Sequence, residues 1–262
     1  MYVKPKKGLG QHFLKDDKIA ERIVSSLDIP EQGSKEKTNV LEIGPGTGVL
    51  TKFLKEDSKI ALSLVEIDSE SVEYLKATMP TINNAIIEGD FLRLDISALF
   101  TDEFHIIGNF PYNISSQIFF KVLEYKEMVP QVVCMIQREV AERLASAPGK
   151  KSYGILSVLL QAWYDIEYLF TVDEGNFIPP PKVKSAVIRL KRNGRQSLEC
   201  DEVFFKRIVK TTFNQRRKTI RNSLKPLLAG RILSDHALLN MRPEQLSVEQ
   251  FVELTQIVSM QS

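Results

Sequence analysis

Short apolar runs alternate with amphipathic stretches through the first two thirds of the chain. NVLEIG (39–44), IALSLVEI (60–67), AIIEGD (85–90), FHIIGN (104–109) and VVCMIQ (132–137) are short, rich in β-branched residues and bounded by turns, the pattern of buried strands. Helices are predicted between them near 48–56, 69–78 and 114–126, the second opening on Ser69 as N-cap. Such alternation implies an α/β fold, a doubly wound and mostly parallel sheet with helices on both faces. After Glu139 come two more helical stretches, then YDIEYLFTVD and SAVIRL, which close the sheet.

KRNGRQSLEC (191–200) is polar and contains glycine, and it marks a linker between a first domain, residues 1–192, and a second, residues 197–262. The second domain reads as all helical. Phe204, Phe205, Ile208, Val209 and Phe213 recur at helical spacing, and Ile220, Leu224, Leu227 and Leu228 continue an apolar face that Pro226 should kink or end.

With 262 residues and 43% hydrophobic content, the chain can bury a full core. Cys134 and Cys200 are far apart and in no CxxC pair, which argues against a disulfide framework or structural zinc. The first thirty residues are charged throughout, and no apolar run reaches about 18 residues; neither a signal peptide nor a membrane span is expected, and the location should be cytoplasmic. The net charge of +2 conceals an asymmetry. From Lys182 onward there are 16 Lys/Arg against 7 Asp/Glu, a net +9, while the preceding part carries −7. An acidic body with a basic tail points to a polyanionic partner.

LEIGPGTGVLT places Gly44, Gly46 and Gly48 directly after the first strand and ahead of a helix. Glycines there let a ligand approach the backbone, and the helix N-terminus offers unpaired N–H groups. Glu66 ends the second strand, where a carboxylate can accept from both hydroxyls of a ribose. A dinucleotide site prefers GxGxxG; here the third glycine comes one position early, and S-adenosylmethionine fits better. Asp90, in EGDF at the end of the third strand, can accept from an adenine amino group. Either carboxylate alone reads as a solvated strand end. Both together, beside the glycine turn and at strand C-termini, read as a nucleoside site.

HIIGNFPYNISS ends the fourth strand on Asn109, followed by Phe110, Pro111 and Tyr112. The Asn109 side chain and the Phe110 carbonyl supply two acceptors, Pro111 stiffens the turn, and Tyr112 provides a flat face for a flipped base. Two acceptors beside an aromatic plate suit an exocyclic amine. Accepting both N6 protons of adenine favours a pyramidal nitrogen whose lone pair can attack a methyl sulfonium. The nitrogen becomes cationic as it gains the methyl group, so carbonyl dipoles and aromatic faces stabilise the transition state. No metal is required, and His12, His105 and His236 are too scattered to hold one.

Eight cations, Lys206, Arg207, Lys210, Arg216, Arg217, Lys218, Arg221 and Lys225, occupy a stretch with no acidic residue from Phe204 to Lys225. Ion pairing at i,i+4 cannot be their purpose. Binding of RNA phosphates by Arg216, Arg217, Lys218, Arg221 and Lys225 is the better reading.

GLGQHFL (8–14), LEIGPGTGVLT (41–51), VEID (65–68), EGDFL (88–92), GNFPYNISS (108–116), NFIPPPKVKSAVIRL (176–190) and TFNQRRKTIRNSL (212–224) together resemble the ribosomal RNA adenine N6,N6-dimethyltransferase family, and its bacterial small-subunit members in particular. The resemblance covers nearly the whole chain. It implies a Rossmann-like, class I S-adenosylmethionine-dependent methyltransferase with a small all-α C-terminal domain. It implies that His12 and Leu14 line the cofactor site, with Gly44, Glu66, Asp90 and Asn109 completing it. The implied substrate is a pair of adjacent adenosines in the 3′-terminal hairpin of 16S small-subunit rRNA, met in a pre-small-subunit ribosomal particle.

Phe177 reads from the residues alone as a core phenylalanine, but the resemblance implies a second plate that sandwiches the adenine against Tyr112. His12 departs from the family pattern, where Asn is common; imidazole still makes one hydrogen bond, and the expected effect is altered pH sensitivity. The absence of a long exposed apolar run points to a monomer. Three alternatives stay open: a large-subunit (23S) dimethyltransferase of the macrolide-resistance type, a DNA adenine methyltransferase, and a ribosome assembly factor that binds cofactor without catalysis.

Overall fold

The computed structural model describes residues 3–29, 37–228 and 235–260. Internal packing divides the chain into two units, residues 1–141 with 166–192, and residues 142–165 with 193–262.

The strands are β1 (Phe13–Leu14), β2 (Thr38–Ile43), β3 (Ile60–Glu66), β4 (Ile86–Glu88), β5 (Phe104–Asn109), β6 (Gln131–Gln137), β7 (Tyr164–Val172), β8 (Phe177–Ile178) and β9 (Ser185–Arg192). Seven of them form one sheet in the order β4-β3-β2-β5-β6-β9-β7, while β1 and β8 form a separate antiparallel ladder. β2 to β6 run parallel, and β9 returns antiparallel to β6. The central strands are apolar without alternation because helices cover both faces: from Gln131 to Ile136, every residue of β6 is buried. β2 and β5 approach closely at Gly108, where a Cβ would lie 2.5 Å from the Ile43 carbonyl oxygen.

The helices of this unit are α1 (Asp17–Val24), α2 (Thr51–Leu54), α3 (Ser69–Thr78) and α4 (Ser115–Glu124). α1 begins where the Asp16 carboxylate accepts the Lys18 and Ile19 N–H groups at 2.9 and 3.1 Å. The N-cap of α3 is Asp68 rather than Ser69. Its carboxylate accepts the Glu70 N–H at 3.3 Å and the Ser71 hydroxyl at 3.0 Å, and Ser69 is the first residue of the helix proper. α2 is shorter than the predicted 48–56 at both ends, and Gly48, at φ +79°, lies outside helical space.

α5 (Arg138–Leu144) runs across the boundary between the units. The second unit then contains α6 (Ile155–Gln161), α7 (Glu202–Asn214), α8 (Ile220–Ser223), α9 (Lys225–Leu228) and α10 (Val248–Met260). Residues 142–165, expected in the first domain, pack with this unit: α6 lies against α7 and α10, where its buried Val158, Leu159 and Leu160 find apolar neighbours. Phe213 of α7 stacks on Phe251 of α10 at 6.0 Å. The basic stretch is not one helix. α7 ends at Asn214, a turn spans 215–219, and the helix breaks again at Leu224, shortly before Pro226, which has no N–H to bond back to the preceding turn.

Candidate active site

A cleft opens at the C-terminal ends of β2, β3 and β5, the edge of an open parallel sheet where ligands are bound. Gly44 and Gly46 form its floor at φ +66° and +56°, left-handed conformations open to glycine. Glu66, 3% exposed at the end of β3, accepts the Gly46 N–H on Oε2 and the Asp68 N–H on Oε1, both at 2.9 Å. Burial raises its pKa, and the bonds from the Asp68 and Gly46 N–H groups oppose that rise. Each carboxylate oxygen keeps acceptor capacity, so the group fits a vicinal diol while it holds the loop. Asp90 lines the same cleft, with its Oδ1 accepting the Leu92 N–H at 2.9 Å and its Oδ2 3.4 Å from Arg93. Glycine loop and two strand-end carboxylates therefore converge on one cavity and suit a nucleoside-bearing cofactor.

Asn109, Phe110, Pro111 and Tyr112 line the cleft as well. The Asn109 Nδ2 donates to the His12 carbonyl at 2.9 Å, which leaves Oδ1 as the acceptor of the amide. Tyr112 stacks on the His12 ring, with centroids 5.3 Å apart and planes 27° apart, and its hydroxyl bonds Ser185 Oγ. Burial raises the Tyr112 pKa, the bond to Ser185 opposes the rise, and Glu174 adds to it, so the hydroxyl stays protonated.

Three predicted residues stand elsewhere. Leu14 and Phe177 face each other across the β1–β8 ladder and are buried in the core with Ile23 and Val187. The two-residue period of a strand decides this: Phe13 lines the cleft and Leu14 turns inward, while Phe177 turns inward and Ile178 is exposed. Phe177, 2% exposed, is a core residue in this structure and presents no plate beside Tyr112; the ring that does stack there is His12. Gly48 does not line the cleft either. A Cβ there would come within 2.8 Å of both Leu75 and Met79, so this glycine serves the packing of α3.

The N-terminal arm supplies residues that sequence reasoning missed. Leu9, Gly10, Gln11 and Phe13 line the cleft alongside His12. Lys6 and Gln11 tie the arm to Asp68, Gln11 at 3.1 Å; burial raises the Asp68 pKa, but bonds from Lys6, Gln11 and Ser71 overcome that and hold it below the usual carboxylate range. The GLGQHFL run, with Gly10 at φ +65°, was the readable sign of a built turn. Ile67, 52% exposed immediately after Glu66, and the buried Phe91 next to Asp90 also border the cleft.

In the second unit Arg216, Arg217 and Lys218 lie in the turn after α7, and Arg216 and Arg217 join Lys151 and Arg242 around one depression that Glu244 also lines. Lys151 and Arg242 are distant in sequence and were not foreseen. Acidic residues do reach this stretch, from outside it: Arg216 Nε lies 3.6 Å from Glu244 and Arg221 pairs with Asp235 at 2.5 Å. Lys225 is exposed on α9.

Strand order, glycine turn and strand-end carboxylates define a Rossmann-like, class I methyltransferase. The family model for "Ribosomal RNA adenine dimethylase" matches residues 3–259, and the chain belongs to that family of enzymes. It is 62% identical to "Ribosomal RNA small subunit methyltransferase A" of Parabacteroides distasonis, over 97% of this chain and 94% of the relative. To the protein of the same name from Cytophaga hutchinsonii it is 55% identical, over 98% of each. Among solved structures it resembles a dimethyladenosine transferase from Plasmodium falciparum in fold, with a TM-score of 0.74 at 24% identity over 95% of this chain and 98% of that one. The 23S rRNA methyltransferase ErmE gives 0.67 at 25% identity, over 93% and 99%.

Proposed function

We propose that this protein transfers methyl groups from S-adenosyl-L-methionine to N6 of two adjacent adenosines in the 3′-terminal hairpin of 16S small-subunit rRNA, giving N6,N6-dimethyladenosine. The observation that carries the reading is the Asn109 amide: with Nδ2 bonded to the His12 carbonyl, Oδ1 is the acceptor that an adenine N6–H needs. The Phe110 carbonyl is the second acceptor, and Tyr112 contributes the aromatic face. The cofactor supplies an electrophilic methyl group on a sulfonium; Gly44, Gly46, Glu66 and Asp90 hold its nucleoside part. The N6 proton leaves only after methylation has made the nitrogen cationic, so a neutral amide suffices where a strong base is not needed.

The relatives named as small-subunit methyltransferases, at 55–62% identity, support the small-subunit target over the 23S rival, since the 23S rRNA methyltransferase ErmE stands at 25%. The depression bordered by Lys151, Arg216, Arg217 and Arg242 supports phosphate contact with folded RNA. The protein works as a cytoplasmic monomer on the pre-small-subunit particle. Among the described residues no helix is long and apolar enough to cross a membrane.

The test is transfer from labelled S-adenosylmethionine to unmodified small-subunit particles, with large-subunit RNA alongside, followed by nucleoside analysis. Dimethyladenosine confined to the small subunit is expected. Label on the large-subunit RNA would favour the resistance-type reading, and label on neither an assembly role.

A further inference from the structure

We propose that His12 is a positioning residue for methyl transfer: its imidazole, tethered to Pro179, braces the Tyr112 ring while its own carbonyl sets the Asn109 amide. The inference rests on the methyltransferase reading above and deepens it.

Three contacts meet at this residue. The first is the bond from Asn109 Nδ2 to the His12 carbonyl at 2.9 Å. An amide turned over by 180° is nearly isosteric, yet it would present NH₂ to the amino group of an adenine, donor against donor. A carbonyl can only accept, so the His12 oxygen selects the orientation in which Asn109 Oδ1 is the available acceptor.

The second contact lies between His12 Nδ1 and the Pro179 carbonyl at 2.8 Å. The oxygen again accepts, so Nδ1 carries the proton and Nε2 is the unprotonated nitrogen of the neutral ring. The ladder explains why these residues meet. Phe13 pairs with Ile178 and Leu14 with Phe177, and the Lys15 N–H continues the register to the Asn176 carbonyl at 2.9 Å. One step the other way brings residue 12 opposite residue 179.

The third contact is the stack on Tyr112, 5.3 Å between centroids and 27° between planes. Tyr112 is held at its far end by the Ser185 hydroxyl. A bond at the hydroxyl leaves the ring free to turn about its long axis; a ring stacked on its face stops that. Through the tether, His12 fixes the one freedom that Ser185 leaves, and Phe177, buried in the core, offers no substitute.

The resemblance reading makes His12 a cofactor contact, and the two roles separate experimentally. His12→Ala removes ring and tether, His12→Phe keeps a flat face without the Nδ1–H, and His12→Asn keeps a donor without the ring. Affinity for S-adenosylhomocysteine by calorimetry is measured beside the single-turnover methylation rate on small-subunit particles, with thermal melting as the folding check. The expected result for His12→Ala is cofactor-product affinity within about twofold of wild type and a methylation rate lowered about tenfold or more, the scale of a displaced reacting group. His12→Phe should recover most of that rate and His12→Asn less. If His12→Ala does not fold, the Phe and Asn variants are compared directly, and a faster Asn variant overturns the proposal. Loss of affinity in proportion to rate, or an unchanged rate, also overturns it. Absence of transfer by the wild-type protein would overturn the methyltransferase reading itself, and the proposal with it.

Discussion

Phe13 lies against the backbone of Gly46, so close that a Cβ at that glycine would stand 2.7 Å from Phe13 Cε1. The N-terminal arm and the cofactor loop are thus fitted to each other at a position where the backbone, at φ +56°, already requires glycine.

Gly46→Ala should fail on both counts. The strained φ costs about 1 to 2 kcal/mol, and the methyl group must push Phe13 out of the cleft. Calorimetry with S-adenosylhomocysteine should show binding weakened by at least about tenfold, since the same loop N–H also anchors Glu66. Wild-type affinity in a folded variant would mean that the arm yields freely.

Glu42 predicts a pH dependence of stability. It is buried in β2, two residues before Gly44, accepts the Thr51 hydroxyl on Oε2 at 2.7 Å, and has its pKa raised by burial to about 8. The fold therefore favours its protonated form. The contribution to stability is fully present below the unfolded pKa and is lost as the pH rises through about 8. Thermal melting of the wild type should fall between about pH 6 and about pH 9 more steeply than that of Glu42→Gln, which stays neutral throughout. Parallel curves would contradict this account.

Phe177 separates a core role from a base-stacking role. Phe177→Ala should cost about 3 to 5 kcal/mol, as a large buried ring removed from a packed cluster does. Phe177→Leu, which keeps most of the apolar volume, should stay folded and keep its methylation rate within about threefold. A loss of about a hundredfold in the well-folded Leu variant would show that the ring leaves the core to meet the base.

Arg217 is exposed at the depression in the second unit, where Glu244 lies against Arg216. Arg217→Ala should weaken binding to small-subunit RNA at low salt and reduce the slope of log K against log salt by about 0.7 to 1. Cofactor affinity should not change. An unaltered slope would remove Arg217 from the RNA surface.

The sequence by itself determined the α/β class, the five parallel strands within a residue or two, and the gathering of Glu66, Asp90 and Asn109 at one edge of the sheet. Apolar run length and turn residues are local properties; Glu66 and Asn109 are strand-terminal residues, and Asp90 lies two residues past the end of β4. Tertiary structure decided whatever depends on pairing between distant segments. Which of Phe13 and Leu14 faces the cleft, and which of Phe177 and Ile178 faces the core, is set by the register of a two-residue ladder that no periodicity can reveal. The partners of Asp68, the gathering of Lys151 and Arg242 beside Arg216, and the assignment of 142–165 to the second unit likewise arise from contacts between residues remote in the chain. His12 is the clearest case: one residue in the sequence, it acquires its three contacts only when the arm, the end of β5 and the segment after β8 are brought together by folding.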